Sequence, residues 1–230
     1  MKNPFPKSIA LLGTLAFFAT TALAGPPLIC HSFDIGNAKS LPWISHDWRL
    51  TGSESYDITH LVSDTISILD ADPTVLVHME TLRRATLYAQ RDSLVAKRLL
   101  LALNSRADSA SHTPAAALAN FDLGYLAETY KQYEWISKSN NDPAHNFDGL
   151  ARIQQALQSR PDDPQMNFAA ALVALDIPNS GQPGYAKKAS AGAASDPLLA
   201  GNLLTHFMSP QSETMSQMIS RNSNVKVAQQ

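Results

Sequence analysis

From residue 57 onward, one local signal recurs along the chain: a side chain that can cap a helix, directly followed by proline. It occurs five times, at Asp72-Pro73, Thr113-Pro114, Asp142-Pro143, Asp163-Pro164 and Asp196-Pro197. The Asp or Thr oxygen accepts a hydrogen bond from a free N–H group in the first helical turn, and proline at the first helical position loses no hydrogen bond. Because apolar residues then recur every three to four positions, this region is restricted to helices with one buried face.

The apolar spacing predicts eight helices, whereas the alternation typical of strands is nearly absent. The predicted helices lie at residues 57–69, 73–91, 93–104, 114–136, 147–159, 164–175, 185–194 and 197–208. Neighbouring helices must then cover each other's apolar sides. The sequence therefore predicts an all-α fold of stacked antiparallel helical hairpins, an α-solenoid, over residues 57–208.

The N-terminal segment 1–24 has the features of a bacterial secretory signal. Lys2 and Lys7 give a positive start, residues 9–22 form an uncharged apolar run, and residues 22–24 (Ala-Leu-Ala) match a signal-peptidase site. The alternative is a retained membrane helix, but the run is shorter than the roughly 20 residues that span a bilayer. We expect a periplasmic or secreted protein with no stable membrane insertion after cleavage.

The segments on either side of the predicted helices differ from them in composition. Residues 25–56 are rich in Gly and Pro and contain Trp43 and Trp48, without a helical period. We expect an irregular arm whose aromatic side chains pack onto the helices. Residues 209–230 are polar, which is typical of a disordered tail.

Charge and cysteine content limit the possible functions. The chain has 230 residues and a formal net charge of −2, so a nucleic-acid partner is not expected. Cys30 is the only cysteine, so no internal disulfide can form. The thiol is then packed and inert, paired with another chain, or reactive.

The second half of the chain resembles a known helical repeat. The small, large, small and proline positions of a repeat unit are matched by Gly149, Ile153, Ala156 and Pro161, and the close-packing positions of the next helix by Ala170, Ala171 and Ala174. On these residues, 145–208 resembles the tetratricopeptide repeat family, whose period is about 34 residues. The separation of Asp163-Pro164 from Asp196-Pro197 is close to that period. Asn167 stands where the family has an aromatic residue, and the earlier capping dipeptides do not follow the period.

The resemblance implies stacked hairpins with a concave face that holds a peptide or a partner protein. The segment 25–36, GPPLICHSFDIG, is also similar to the mature start of exported bacterial proteins with no assigned activity. That similarity implies export and no particular chemistry.

Two groups of residues are candidates for partner contact. Tyr125, Tyr130, Tyr133 and Trp135 form a stripe on the fourth predicted helix, which either lines a groove or packs in the core. Arg84 belongs to a charged face of the second predicted helix, together with Glu80, Arg83 and Arg91. That face is either solvated or clamps a carboxylate or phosphate.

Cys30 and His31 are the candidate metal ligands, with His46 and Asp47 further along the arm. A thiolate and imidazoles suit zinc or copper, but the spacing matches no standard site, and a packed cysteine beside an ordinary histidine is the simpler interpretation. The sequence predicts no cofactor.

Catalytic motifs are absent from the sequence: it contains no Gly-x-Ser-x-Gly elbow, no His-Glu-x-x-His and no phosphate-binding glycine loop. Asp122 and Glu128 lie on one predicted helix and point about 120° from each other. We therefore expect an exported binding or scaffold protein rather than an enzyme. The alternatives are a small metal or redox protein at Cys30 and His31, or a helical hydrolase acting on envelope polymers.

Overall fold

The structure is a computed structural model that describes residues 26–44, 50, 52–138, 142–175, 177 and 180–207. The predicted signal at 1–24 and the predicted tail at 209–230 lie outside these residues. Within them the chain forms eight α-helices and no strand. The helices are α1 Leu61–Ala71, α2 Val75–Ala89, α3 Ser93–Ala110, α4 Ala116–Ser137, α5 Gly149–Ser159, α6 Pro164–Val173, α7 Gln182–Ala193 and α8 Pro197–Phe207. The all-α prediction is confirmed.

Each predicted helix has a counterpart, and the largest boundary difference is at the end of α3. The prediction ended this helix at Asn104, where the sequence turns polar, but the helix continues to Ala110. The extra turns are held from outside: Ala107 is buried, and Arg106 forms ion pairs with Asp70 and Asp122 on other helices. Contacts distant in sequence therefore extend a helix that its local pattern does not predict.

Two of the five capping dipeptides begin helices directly. Asp163 accepts a hydrogen bond from Met166 N at 2.9 Å, and Asp196 accepts one from Leu199 N at 3.0 Å. The other three dipeptides precede a turn or a short extended stretch, and their helices start a few residues later. At α2, the first turn is capped from a distance by Gln165, whose Oε1 accepts from Leu76 N at 3.0 Å.

Consecutive helices pack against each other, and α2 lies at the centre. Every residue of α2 except Arg84 is buried, because α1, α3, α4 and α6 all pack against this helix. A helix contacted from both halves of the chain departs from a linear repeat, in which each unit contacts only its neighbours. The tetratricopeptide-like stacking therefore stays a prediction. No helix in the described part of the chain is long and apolar enough to cross a membrane.

The contact between α4 and α5 depends on two glycines that allow the helix backbones to touch. A Cβ atom on Gly149 would overlap the carbonyl oxygen of Gly124 and the carboxylate of Glu128. Gly149 N also donates to Glu128 Oε1 at 2.9 Å, which ties the start of α5 to α4. The α4–α5 hairpin therefore requires glycine at this position.

We predict that Gly149→Ala lowers the free energy of unfolding by about 2 kcal/mol, because the added methyl group forces two backbones apart. Gly201→Ala is the matched control, since a Cβ at this position in α8 meets nothing within 4 Å. Urea unfolding measures both variants, and alanine at 201 is expected to be neutral or to stabilise the helix by up to about 1 kcal/mol. Equal changes in the two variants would contradict the proposed contact.

Candidate functional site

The charged face of α2 is enclosed by the arm instead of facing solvent. Glu80 is fully buried, and each of its carboxylate oxygens accepts two hydrogen bonds. Oε2 accepts from Phe33 N at 3.0 Å and Arg83 Nε at 2.8 Å. Oε1 accepts from Arg84 Nε at 2.7 Å and from an Arg83 terminal nitrogen at 3.1 Å. The buried charge is thus paired and fully hydrogen-bonded, as a carboxylate in a protein interior must be.

Both arginines use their remaining nitrogens to hold the backbone of the arm. Arg83 donates to the carbonyl oxygen of Ile29 at 3.1 Å, and Arg84 donates to that of Leu41 at 2.6 Å. We call Glu80, Arg83 and Arg84 the arm clamp. For Glu80, Arg83 and Arg84 the prediction of a solvated face is corrected: even the side chain of Arg84 is only 19% exposed, and it binds the chain's own arm. Arg91, which follows the end of α2, is exposed.

Other helices contact the arm backbone in the same way. Asn202 on α8 accepts from Asp34 N at 2.9 Å and donates to Asp34 O at 2.8 Å. Gln132 on α4 accepts from Leu28 N at 2.8 Å. Four apolar side chains of the arm are buried: Leu28, Ile29, Phe33 and Leu41. Of these, Leu28, Phe33 and Leu41 belong to the hydrophobic core. The helical body therefore holds an irregular segment by binding its backbone, and that segment completes the core.

The tyrosine stripe of α4 faces the core. Tyr125 and Tyr130 are fully buried, and Tyr130 donates to the carbonyl oxygen of Ala96 at 3.1 Å. Burial raises the pKa of both phenols well above the usual value, so they stay protonated. Neither side chain reaches a surface, and the prediction that these two tyrosines contact a partner is corrected. The ring of Tyr125 packs against those of Phe33 and Phe121.

The end of the same stripe is more accessible. Tyr133 is half-buried, and Trp135 is 67% exposed. Both lie in the last turns of α4, where burial along the helix ends. The candidate partner surface on α4 is therefore reduced to these two residues.

Cys30 and His31 lie half-buried at the start of the arm. Burial raises the pKa of the Cys30 thiol, more than nearby Arg83 lowers it, which disfavours the thiolate that a metal needs. Burial and the Arg83 charge both lower the pKa of His31. The ring of His206 is 5.8 Å from that of His31, and burial lowers the pKa of His206 to about 4.

Among the residues that the structure describes, no three His, Cys, Asp or Glu side chains are grouped to hold a metal ion. His46 and Asp47, the further ligands considered for this site, lie outside the described residues. The metal or redox role of Cys30 and His31 therefore stays a prediction.

Asp122 belongs to a chain of charges that joins four helices and runs from the buried pair of Asp122 and His78 to the exposed Asp70. Its Oδ1 lies 2.6 Å from His78 Nδ1, and its Oδ2 accepts from Arg106 at 2.7 Å. Arg106 also donates to Asp70 at 2.9 Å, and His78 Nε2 faces the carbonyl oxygen of Asp72. An acceptor at each ring nitrogen favours the imidazolium form of His78.

Neither of the two carboxylates considered for hydrolysis is free for that role. Asp122 is fully buried in the charge network. Glu128 accepts from Gly149 N and from Lys131 Nζ, both at 2.9 Å. These partners give both carboxylates a structural role and support no hydrolase chemistry at this pair.

The comparisons with known proteins identify no relative. Neither the models of protein families nor the curated proteins and solved structures contain a match to this chain.

We predict that Glu80→Gln lowers the free energy of unfolding by about 3 kcal/mol, because two arginines lose their buried counter-charge. The matched control is Glu54→Gln, which removes an exposed carboxylate from the arm. Urea unfolding gives the stability, and limited proteolysis reports release of the arm. A loss no larger than that of Glu54→Gln would show that the arm clamp does not hold the arm.

We predict that the protein loses stability as the pH rises through the range above 6.5. Burial lowers the pKa of His78, but the Asp122 charge and the two hydrogen bonds outweigh it, so the pKa is raised above 6.5. The unfolded chain then binds fewer protons than the folded chain above pH 6.5, and the stability from His78 is lost as the pH passes its folded pKa. The lowered pKa of His206 acts below pH 6.5 and does not overlap.

Urea unfolding at several pH values tests this dependence, with His78→Gln as the comparison. The wild-type free energy of unfolding should fall across the window, whereas that of the variant should stay level. Parallel curves for the two proteins would assign the pH dependence to another group.

Proposed function

We propose that this chain is an exported helical protein that binds a protein or peptide partner on the outer surface of its helices. The observation that carries the proposal is the exposure of Trp135 at the end of α4. Tryptophan is enriched among the residues that contribute most to binding energy at protein interfaces.

The way in which the helices hold the arm also supports the proposal that this protein binds a peptide or protein. The body holds residues 28–41 through hydrogen bonds between the arm backbone and side chains on α2, α4 and α8. Hydrogen bonds to backbone N–H and C=O groups can be made to a peptide of any sequence, because every peptide has these groups. Because the arm itself occupies that surface, we place the partner on the outer faces.

Export follows from the N-terminal signal predicted from the sequence. An exported binding protein meets its partner in the cell envelope or outside the cell. The experiment must therefore sample that compartment.

We predict that a photoreactive amino acid replacing Trp135 gives one discrete adduct in cells that export the protein, and that mass spectrometry identifies a protein or peptide in it. With the partner purified, Trp135→Ala should weaken its binding about 30-fold, the loss of roughly 2 kcal/mol typical of a central tryptophan. The free energy of unfolding should not change, because the ring is mostly exposed.

The same photoreactive group at Gln155, an exposed position on α5, is the control. An adduct of equal yield at Gln155 would indicate non-specific capture. The absence of an adduct at position 135 would refute partner binding through this residue. So would a captured partner whose affinity for the protein is unaffected by Trp135→Ala.

A further inference from the structure

The outward face of α3 carries an apolar and charged stripe that no described element covers. Leu94 is 62% exposed and Leu101 is 58% exposed, although both belong to a helix whose opposite face is buried. At 100° per residue, the stripe spans an arc of about 100°. It consists of Leu94, Lys97, Arg98, Leu101, Ser105 and Asp108, all exposed.

The charges at Lys97 and Asp108 add little to the stability of α3. Asp108 lies in the last turn, where a carboxylate is unfavourable because the free carbonyl groups make that end negative. Its side chain accepts one hydrogen bond, from Asn104 at 3.0 Å. Lys97, in the first half of the helix, makes no hydrogen bond or ion pair with any described residue. The arrangement therefore leaves a cation and an anion about 16 Å apart on one helix face.

Charge complementarity indicates what fits this stripe. Residues 208–230 contain one acidic and two basic side chains, and residues 1–25 contain two lysines and no acid, so neither terminus is acidic enough to match Lys97 and Arg98. An anionic lipid surface would attract the two cations but repel Asp108 in the same stripe. A second copy of α3, running in the opposite direction, matches both signs.

We infer that the chain self-associates through α3, with the two copies antiparallel about a twofold axis between positions 102 and 103. In this register Lys97 of one copy faces Asp108 of the other, and the twofold axis makes two such pairs. Lys97 and Asp108 lie on the same side of the stripe, so the two charges of each pair can meet. Each Leu101 lies about 2 Å from the axis along the helix, so the two leucines pack against each other. The small side chain of Ser105 leaves room for Arg98 of the other copy. The dipoles of the two helices are antiparallel, which is the favourable arrangement.

The association is a weak one. One pair of helices buries less than the roughly 1,200–2,000 Å² of a stable interface. We therefore expect monomer and dimer to exchange at concentrations on the order of 0.1 mM. The inference does not depend on partner binding at Trp135, which lies on another helix.

The test is a charge exchange, measured by sedimentation equilibrium on the chain as isolated from the cell, over about 5 µM to 1 mM. Lys97→Glu and Asp108→Lys should each raise the dissociation constant about tenfold, because each puts like charges opposite each other. The double variant Lys97→Glu/Asp108→Lys restores both pairs and should return within about threefold of the wild type. Lys97→Glu places a negative charge nearer the N-terminus of α3, and Asp108→Lys places a positive charge in its last turn. Both are favourable with the helix dipole, so the monomer should stay folded.

A matched pair of leucine variants checks the apolar contact. Leu101→Ser should weaken the dimer, whereas Leu204→Ser, at a 46% exposed leucine on α8, should leave it unchanged. A chain that stays monomeric throughout the concentration range would overturn the inference. So would a dimer that the double variant fails to restore, or one that Leu204→Ser weakens as much as Leu101→Ser.

Discussion

The carboxylate of Glu80 is fully buried, and a buried charge persists only when it is paired and hydrogen-bonded. Two arginines from the same helix and one backbone N–H from the arm meet that requirement. Because the arginines then have nitrogens left over, they bind two carbonyl groups of the arm. One compensated charge thus determines where residues 28–41 lie, and the position of the central helix depends on the arm that covers it.

The same requirement operates a second time on the opposite face of α2, at His78, which is two residues from Glu80. His78, Asp122, Arg106 and Asp70 form a chain of ion pairs that joins α1, α2, α3 and α4. Apolar packing alone allows helices to slide along each other, since one ridge fits several grooves. Charge pairs at fixed levels remove that freedom, because each slipped arrangement leaves a buried charge alone. The polar interior of this protein therefore specifies the helix register.

A division between inside and outside follows from these contacts. Three ionisable side chains, those of Glu80, Asp122 and His78, hold the fold together and have no access to solvent. The outer surface keeps a few large apolar groups, notably Trp135 on α4 and Leu101 on α3. The exposed ring of Trp135 is the basis of the partner-binding proposal. The α3 stripe is a separate surface, for which we propose a second copy of the chain as the occupant.

Helix formation was readable from the sequence, because an apolar period near that of the α-helix and a capping side chain act within one or two turns. Eight helices, the caps at Asp163 and Asp196, and the all-α class followed from such local signals. The role of the charged face of α2 did not, since Glu80 and Arg84 have the same spacing whether solvent or a distant arm covers them. Likewise, only packing decides that Tyr125 and Tyr130 are buried while Trp135 is exposed. Tertiary structure decided these points because burial depends on which distant segments meet, and a local pattern carries no record of that.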